Sequence, residues 1–183
     1  MIASSLPKLM AQPVVNPTSI SGCRLSTHWI HSGAIMQIRE ARIGDSEAIA
    51  TLLAALGYPA TEGFIKSKIE QQLKHHDARL LVAVEGSEIL GFISLHFIPQ
   101  LALPGDFCRI SYFCVNEGVR SRGIGARLEE AAAALAKERG CDRIEVHCHA
   151  RRELAHQFYY RQGYSESPKY LLKLLKLENE AWR

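Results

Sequence analysis

The segment from Val115 to Ala126 reads Val-Asn-Glu-Gly-Val-Arg-Ser-Arg-Gly-Ile-Gly-Ala, and no other stretch constrains the fold as tightly. An apolar β run enters it, glycines stand at alternate positions 123 and 125, and an Ala-rich run leaves it toward Arg139. A strand that turns at once into a helix aims the helix's unpaired first amides, and the positive end of its dipole, at one point in space. That point suits a phosphate or pyrophosphate. Gly123 and Gly125 carry no Cβ, so an anion can approach the backbone closely, and Arg120 and Arg122 add positive charge beside it. The spacing excludes two common nucleotide loops. A P-loop needs Gly-Lys-Ser/Thr at the helix start, and a dinucleotide fold needs a third glycine at position 128, which is Leu.

The flanking sequence supplies alternating elements. Met36–Ile43 alternates apolar and polar residues and reads as a strand. Asp45 is placed to cap a helix carrying Ala48, Ile49, Leu52, Leu53 and Leu56, which Gly57 stops. Thr61 is placed to cap a second helix with Phe64, Ile65, Ile69 and Leu73 on one stripe. Arg79–Glu85 and Glu88–Phe97, separated by Gly86-Ser87, predict a hairpin, and Phe107–Val115 a third β run. After the long helix, Cys141–His149 alternates as a strand, Arg152–Arg161 is helical, and Tyr164–Leu177 offers a last strand. The predicted order, β-α-α-β-β-β-α-β-α-β, is that of an α/β protein with a mixed sheet covered by helices on both faces.

Composition narrows the partners. The 183 residues are 47% hydrophobic and 22% charged, ordinary for one globular domain. The net charge is +3, and two of those charges come from Lys8 and Arg24 in an acid-free stretch, residues 1–35. With Pro7, Pro13 and Pro17 and no sustained period, that stretch is expected to be a poorly ordered, non-core extension, with the domain proper at 36–183. The leader is poor in Arg for a transit peptide and lacks the apolar run of a secretory signal. The nearly neutral remainder argues against nucleic acid, and no apolar run is long enough for a membrane span. Five scattered cysteines without CxxC pairs are expected to be free thiols in a reducing, cytoplasmic setting.

Arg120-x-x-Gly123-x-Gly125, with a strand before it and a helix after it, resembles the acetyl-CoA pyrophosphate loop of the GNAT superfamily of N-acetyltransferases. A second block, Ala155-x-x-Phe158-Tyr159-x-x-x-Gly163-Tyr164, is similar to that family's Phe-Tyr signature. The element order matches from about Met36 to Leu175. The resemblance implies a mostly antiparallel central sheet and acetyl-CoA as co-substrate. It implies that Arg120, Arg122, Gly123, Ile124, Gly125 and Ala126 hold the coenzyme phosphates. It further implies that the strand before the loop splays from its neighbour, and that Cys114 and Val115 offer backbone contacts to the pantetheine and the acetyl oxygen. Tyr159 would be the acid that protonates the departing thiolate. A phenol with a pKa near 10 holds its proton at neutral pH and can donate it. Tyr160 is expected to face elsewhere, about 100° further round the helix.

The sequence departs from the family in two places. The strand glutamate that many relatives use as a base is replaced, with Ser111 and Tyr112 at those positions, and the usual proline is Glu117. Glu62, Asp106 and His96 are the candidate bases elsewhere. His147 and His149 flank Cys148 on the predicted strand, but Cys148 would face away, so no metal site is expected. Glu129, Glu130, Lys137, Glu138 and Arg139 read as a solvated helix face. The expected activity is acetyl transfer to a primary amine, most simply of a small molecule, by direct attack in a ternary complex. Arg151–Tyr164 is most similar to small-amine acetyltransferases, those for aminoalkylphosphonates included. Protein or peptide acetylation and non-catalytic acetyl-CoA sensing are the alternatives, and a homodimer stays open by family resemblance.

Overall fold

A computed structural model of the chain describes residues 35–167 and Leu171. The expected leader therefore lies outside the described residues except for Ile35, as does most of the last predicted strand. Its first residues, 164–167, are irregular.

The elements are β1 (Gln37–Glu40), α1 (Ser46–Leu56), α2 (Ile65–Lys74), β2 (Ala78–Glu85), β3 (Glu88–Ile98), β4 (Asp106–Val115), α3 (Ile124–Glu138), β5 (Cys141–Val146) and α4 (Glu153–Arg161). Short 3-10 turns occupy Ile43–Asp45 and Glu117–Val119. The five strands form one sheet in sequence order; β1 to β4 are antiparallel, and β5 runs parallel to β4. Helices cover both faces, as the pattern predicts. On one face α3 lays Ile124, Leu128, Ala132 and Ala136, spaced by four, against Leu81, Ile93, Leu95 and Ile110, with Tyr159 of α4 in the same cluster. On the other face Ile49, Leu53, Ile65 and Ile69 of α1 and α2 pack on Leu80, Val82, Phe92 and Cys114. Among the described residues no helix is long and apolar enough to cross a membrane.

Four local expectations need correction. The Asp45 carboxylate turns backward, taking the Arg42 amide at 2.7 Å and pairing with both Arg39 nitrogens at 2.7 and 2.9 Å, so an ion pair outcompetes the cap. Thr61 does not cap α2 with its hydroxyl; its carbonyl accepts from Phe64 and Ile65, and Oγ1 is buried without a partner. β5 stops at Val146, because its partner β4 diverges there, so His147–His149 are irregular and the alternation argument does not apply to them. Glu129 is not solvated. It is 8% exposed, and its carboxylate accepts from the Tyr164 hydroxyl at 3.1 Å.

Candidate active site

The site begins with a mismatch between strands. β4 pairs with β5 only from Asp106↔Cys141 to Ile110↔Val146, whereas β4 stays paired with β3 as far as Val115↔Gly91. Residues 111–115 therefore present a strand edge toward the space where β5 would have continued. Ser111 has no opposite number on β3, since Ser94 pairs with Tyr112 and Leu95 with Ile110, and such a bulge bends the strand. The Asn116 amide donates to Leu90 O at 2.8 Å. In an antiparallel ladder the polar backbone alternates sides, so Cys114, expected with Val115 to offer backbone contacts to the coenzyme, turns its N–H and C=O to β3 instead, while Phe113 and Val115 turn theirs to the open cleft.

The loop at the end of β4 delivers α3 to the same place. Ser121 and Gly123 both adopt left-handed backbone, at φ +67° and +78°, a conformation comfortable for glycine and uncommon for serine. Gly123 is the N-cap of α3 and has no side chain to cap it, while its carbonyl accepts from Arg127. The amides of residues 123–126 thus have no acceptor one turn back in the helix. Arg120 and Arg122 flank them, paired at the surface with Glu117 at 3.0 Å and Glu85 at 2.8 Å. Such exposed pairs are worth little, so either guanidinium can turn to a stronger anion.

The second sequence block meets the first through aromatic packing. Phe113 of β4 lies edge-on to Phe158 at 5.6 Å between ring centroids and 6.4 Å from Tyr159. Tyr159 is 9% exposed, and burial pushes its phenol well above the ordinary value, so it keeps its proton. Tyr160 is exposed, its hydroxyl donating to Glu166 at 2.6 Å. The chain thus sorts the adjacent tyrosines by face, as helical rotation requires. Arg152 at the start of α4 donates to the Leu56 carbonyl at the end of α1, bracing the two helices.

Residues 47–164 match the acetyltransferase (GNAT) family. The chain belongs to this family. It is 26% identical over 139 residues to the aminoalkylphosphonate N-acetyltransferase of Salmonella typhimurium, covering 73% of this chain and 87% of the relative. A solved structure described as a transcriptional regulator from Bacillus halodurans C-125 superposes with a TM-score of 0.69 at 27% identity, over 77% of this chain and all of that one. The aminoglycoside N-acetyltransferase AAC(6')-Iy in complex with CoA shares the fold, with a TM-score of 0.71 over 81% of this chain and 99% of that one, at 15% identity. The protein is an acyltransferase of the GNAT type, built on a mixed α/β sheet.

Against this GNAT frame the three candidate bases separate. Asp106 stands at the far end of β4, nine residues before Val115 and about 30 Å away along an extended strand. Glu62 is exposed in the connection between α1 and α2. His96 adjoins the bulge, with Nδ1 2.8 Å from Ser111 Oγ, and burial holds its pKa below the ordinary imidazole value. The Cys114 thiol faces the α1–α2 side and burial raises its pKa, although Arg120 and Arg152 oppose that, which leaves it a poor nucleophile. Sequence reasoning missed two features: the buried Tyr164–Glu129 pair behind Tyr159, and the part of Phe113 as the ring on which both motif blocks converge. Alternation along Phe107–Val115 could have flagged Phe113, because it puts Phe113 on the opposite face from Tyr112.

Proposed function

We propose that this acetyltransferase moves the acetyl group of acetyl-CoA to a primary amine of a small molecule, by direct attack while both substrates are bound. The observation that carries the reading is convergence: the open edge of β4, the uncapped start of α3 and Tyr159 all gather round Phe113. In this arrangement the amides of residues 123–126, with Arg120 and Arg122, hold the pyrophosphate. The polar backbone of Phe113 and Val115 lies along the pantetheine, and an amide there faces the acetyl oxygen, stabilising charge that develops on it. The cleft residues fit that long, thin, anionic-ended group, and acetyl-CoA supplies the activated thioester.

Tyr159 serves the leaving sulfur. Its raised pKa makes complete transfer to a thiolate of pKa about 8.5 uphill, so the phenol acts by donating a hydrogen bond as the C–S bond breaks. The proton lost by the amine nitrogen then balances the step, through Tyr159 or water, and leaves the thiol. The buried, high-pKa Cys114 supports direct attack over an acyl-enzyme. The relative named for aminoalkylphosphonates supports a small acceptor over a protein one.

Tyr159→Phe tests the reading. Acetyl-CoA affinity by calorimetry should stay within about twofold, while thiol release with an accepted amine falls tenfold or more, the usual scale for losing such a group. A wild-type protein that binds acetyl-CoA and releases no thiol with any amine would make it a non-catalytic binding module. A protein that does not bind acetyl-CoA would overturn the cleft assignment itself.

A further inference from the structure

Ser111 is the first residue of β4 beyond its last pair with β5, Ile110↔Val146, and at the bulge it has no opposite number on β3 either. The strand is released on both edges at this one residue. Its side chain is exposed, and Oγ lies 2.8 Å from Nδ1 of His96 on β3. Along β3, Leu95 and Phe97 pack on the α3 side, while Ser94 bonds to Gln72 of α2 at 3.1 Å. Alternation therefore puts His96 with Ser94 on the α1–α2 face, from which its ring reaches the bulge.

An amine that attacks a thioester becomes cationic as the N–C bond forms, and it must then lose a proton. A neutral imidazole can take that proton if a lone pair faces its path. A hydroxyl both donates and accepts, so Ser111 can give its hydrogen to Nδ1 while it receives one from the cleft, the imidazole then carrying its own hydrogen on Nε2. Among the described residues the ionisable groups that act on His96 are His75, at the end of α2, and Arg109, its cross-strand partner on β4; its β2 partner is the uncharged Ala78. Burial first, then these two neighbours, hold the ring below the ordinary imidazole pKa, so it is neutral and able to accept at pH 7. Ser111 stands two residues from Phe113, whose amide faces the cleft. That is about 7 Å of extended strand, which a serine side chain and one bridging water span.

We propose that Ser111 and His96 form the path by which the attacking amine loses its proton. This rests on the acetyltransferase reading above. As the N–C bond forms, the amine nitrogen passes a proton through one water to Ser111 Oγ, and the hydrogen of Ser111 moves to His96 Nδ1. The C–S bond then breaks, the thiolate takes a proton from water to leave as thiol, and His96 returns its proton to solvent.

The test measures kcat/KM for the amine at saturating acetyl-CoA, from pH 5 to 9, with whichever of phenethylamine, spermidine, kanamycin and 2-aminoethylphosphonate is turned over fastest. His96→Asn and Ser111→Ala should each lose about a hundredfold at pH 7.5, the scale for a general base, with melting temperatures within a few degrees of wild type. The double variant should be no slower than either single one, because both interrupt one path. Ser111→Thr, which keeps the hydroxyl, should recover to within about threefold of wild type. The ratio of wild-type to His96→Asn rates carries the decisive signature, since any titration of the amine itself cancels from it. That ratio should be flat above about pH 7 and shrink by up to tenfold per unit below the His96 pKa, as the wild-type ring becomes protonated. A structural His96 would give a ratio independent of pH. Such a ratio, full activity in either single variant, or additive losses in the double variant overturns the proton path and leaves acetyl transfer standing. A wild-type protein that releases no thiol with any amine overturns both.

Discussion

Gly125 lies against the ring of Phe158: a Cβ placed there would stand 3.2 Å from Cε2 and 3.5 Å from Cζ. The glycine that opens α3 to an anion on one side is thus also the socket for the aromatic that carries Tyr159 on the other. Gly125→Ala sets two effects against each other. Alanine favours the helix by up to about 1 kcal/mol, while an overpacked contact costs about 1–3 kcal/mol. The net change should be a melting temperature lower by a few degrees. Phe158 packs edge-on to Tyr159 at 5.3 Å, so its displacement passes on. Thiol release should fall about tenfold, more than the stability loss alone explains. A variant that melts higher and turns over at the full rate would mean the ring relaxes freely.

Behind Tyr159 sits the pair formed by Tyr164 and Glu129. The two tyrosine rings are 5.3 Å apart, and the Tyr164 phenol is pushed up by burial and by the neighbouring carboxylate. Tyr164→Phe leaves a carboxylate that is 8% exposed without its donor and should cost about 1.5–3 kcal/mol in urea unfolding. Adding Glu129→Leu should return most of that, because the stranded charge is gone. Additive losses in the double variant would show that the two residues are not coupled.

How far the sequence carried this depends on whether an interaction is local. Gly123, Arg120 and the start of α3 are legible because strand, turn and helix follow one another in the chain. The same holds for the sorting of Tyr159 from Tyr160, which is set by helical rotation. The failures are non-local. Glu129 reads as a solvated face until Tyr164, 35 residues on, is folded over it. Asp45 reads as a cap until Arg39 competes for its oxygens. β5 reads as running to His149 because alternation persists, whereas the ladder stops where β4 bends away at Ser111. A cavity of about 520 Å³ between α1, α2 and the sheet is invisible in sequence, since its walls come from two helices and three strands.

The Arg39–Asp45 pair supplies an acid-side signature. The hydrogen bonds from Arg39 hold the Asp45 carboxyl below its ordinary value in the folded protein. Its stabilisation is therefore fully present above the unfolded value of about 4 and disappears as pH falls through the lower, folded one. Asp45 is largely covered, with 11% of its side chain exposed, and the contact is bidentate, so Asp45→Asn should cost about 1 kcal/mol at pH 7. Urea unfolding of both proteins from pH 7 down to about pH 3 should show the two stabilities converging. Parallel curves would show that the carboxyl does not titrate with the fold.

Cys114 decides between direct attack and an acyl-enzyme. Its thiol is buried on the α1–α2 side of β4, packed with Ala50 and Phe92 in the same cluster, and burial raises its pKa. A nucleophile in that position would be mostly thiol at neutral pH and would need a base beside it. Among the described residues its thiol donates only a weak 3.9 Å hydrogen bond, to the Val115 carbonyl, which accepts the bond but cannot remove the proton. Cys114→Ala should therefore keep kcat within about threefold of wild type, with a modest loss of stability from the emptied volume, about 1 kcal/mol. Initial-rate lines with varied amine and acetyl-CoA should intersect. A Cys114→Ala protein without activity, together with parallel lines and an acetylated Cys114 peptide by mass spectrometry, would establish the covalent route instead.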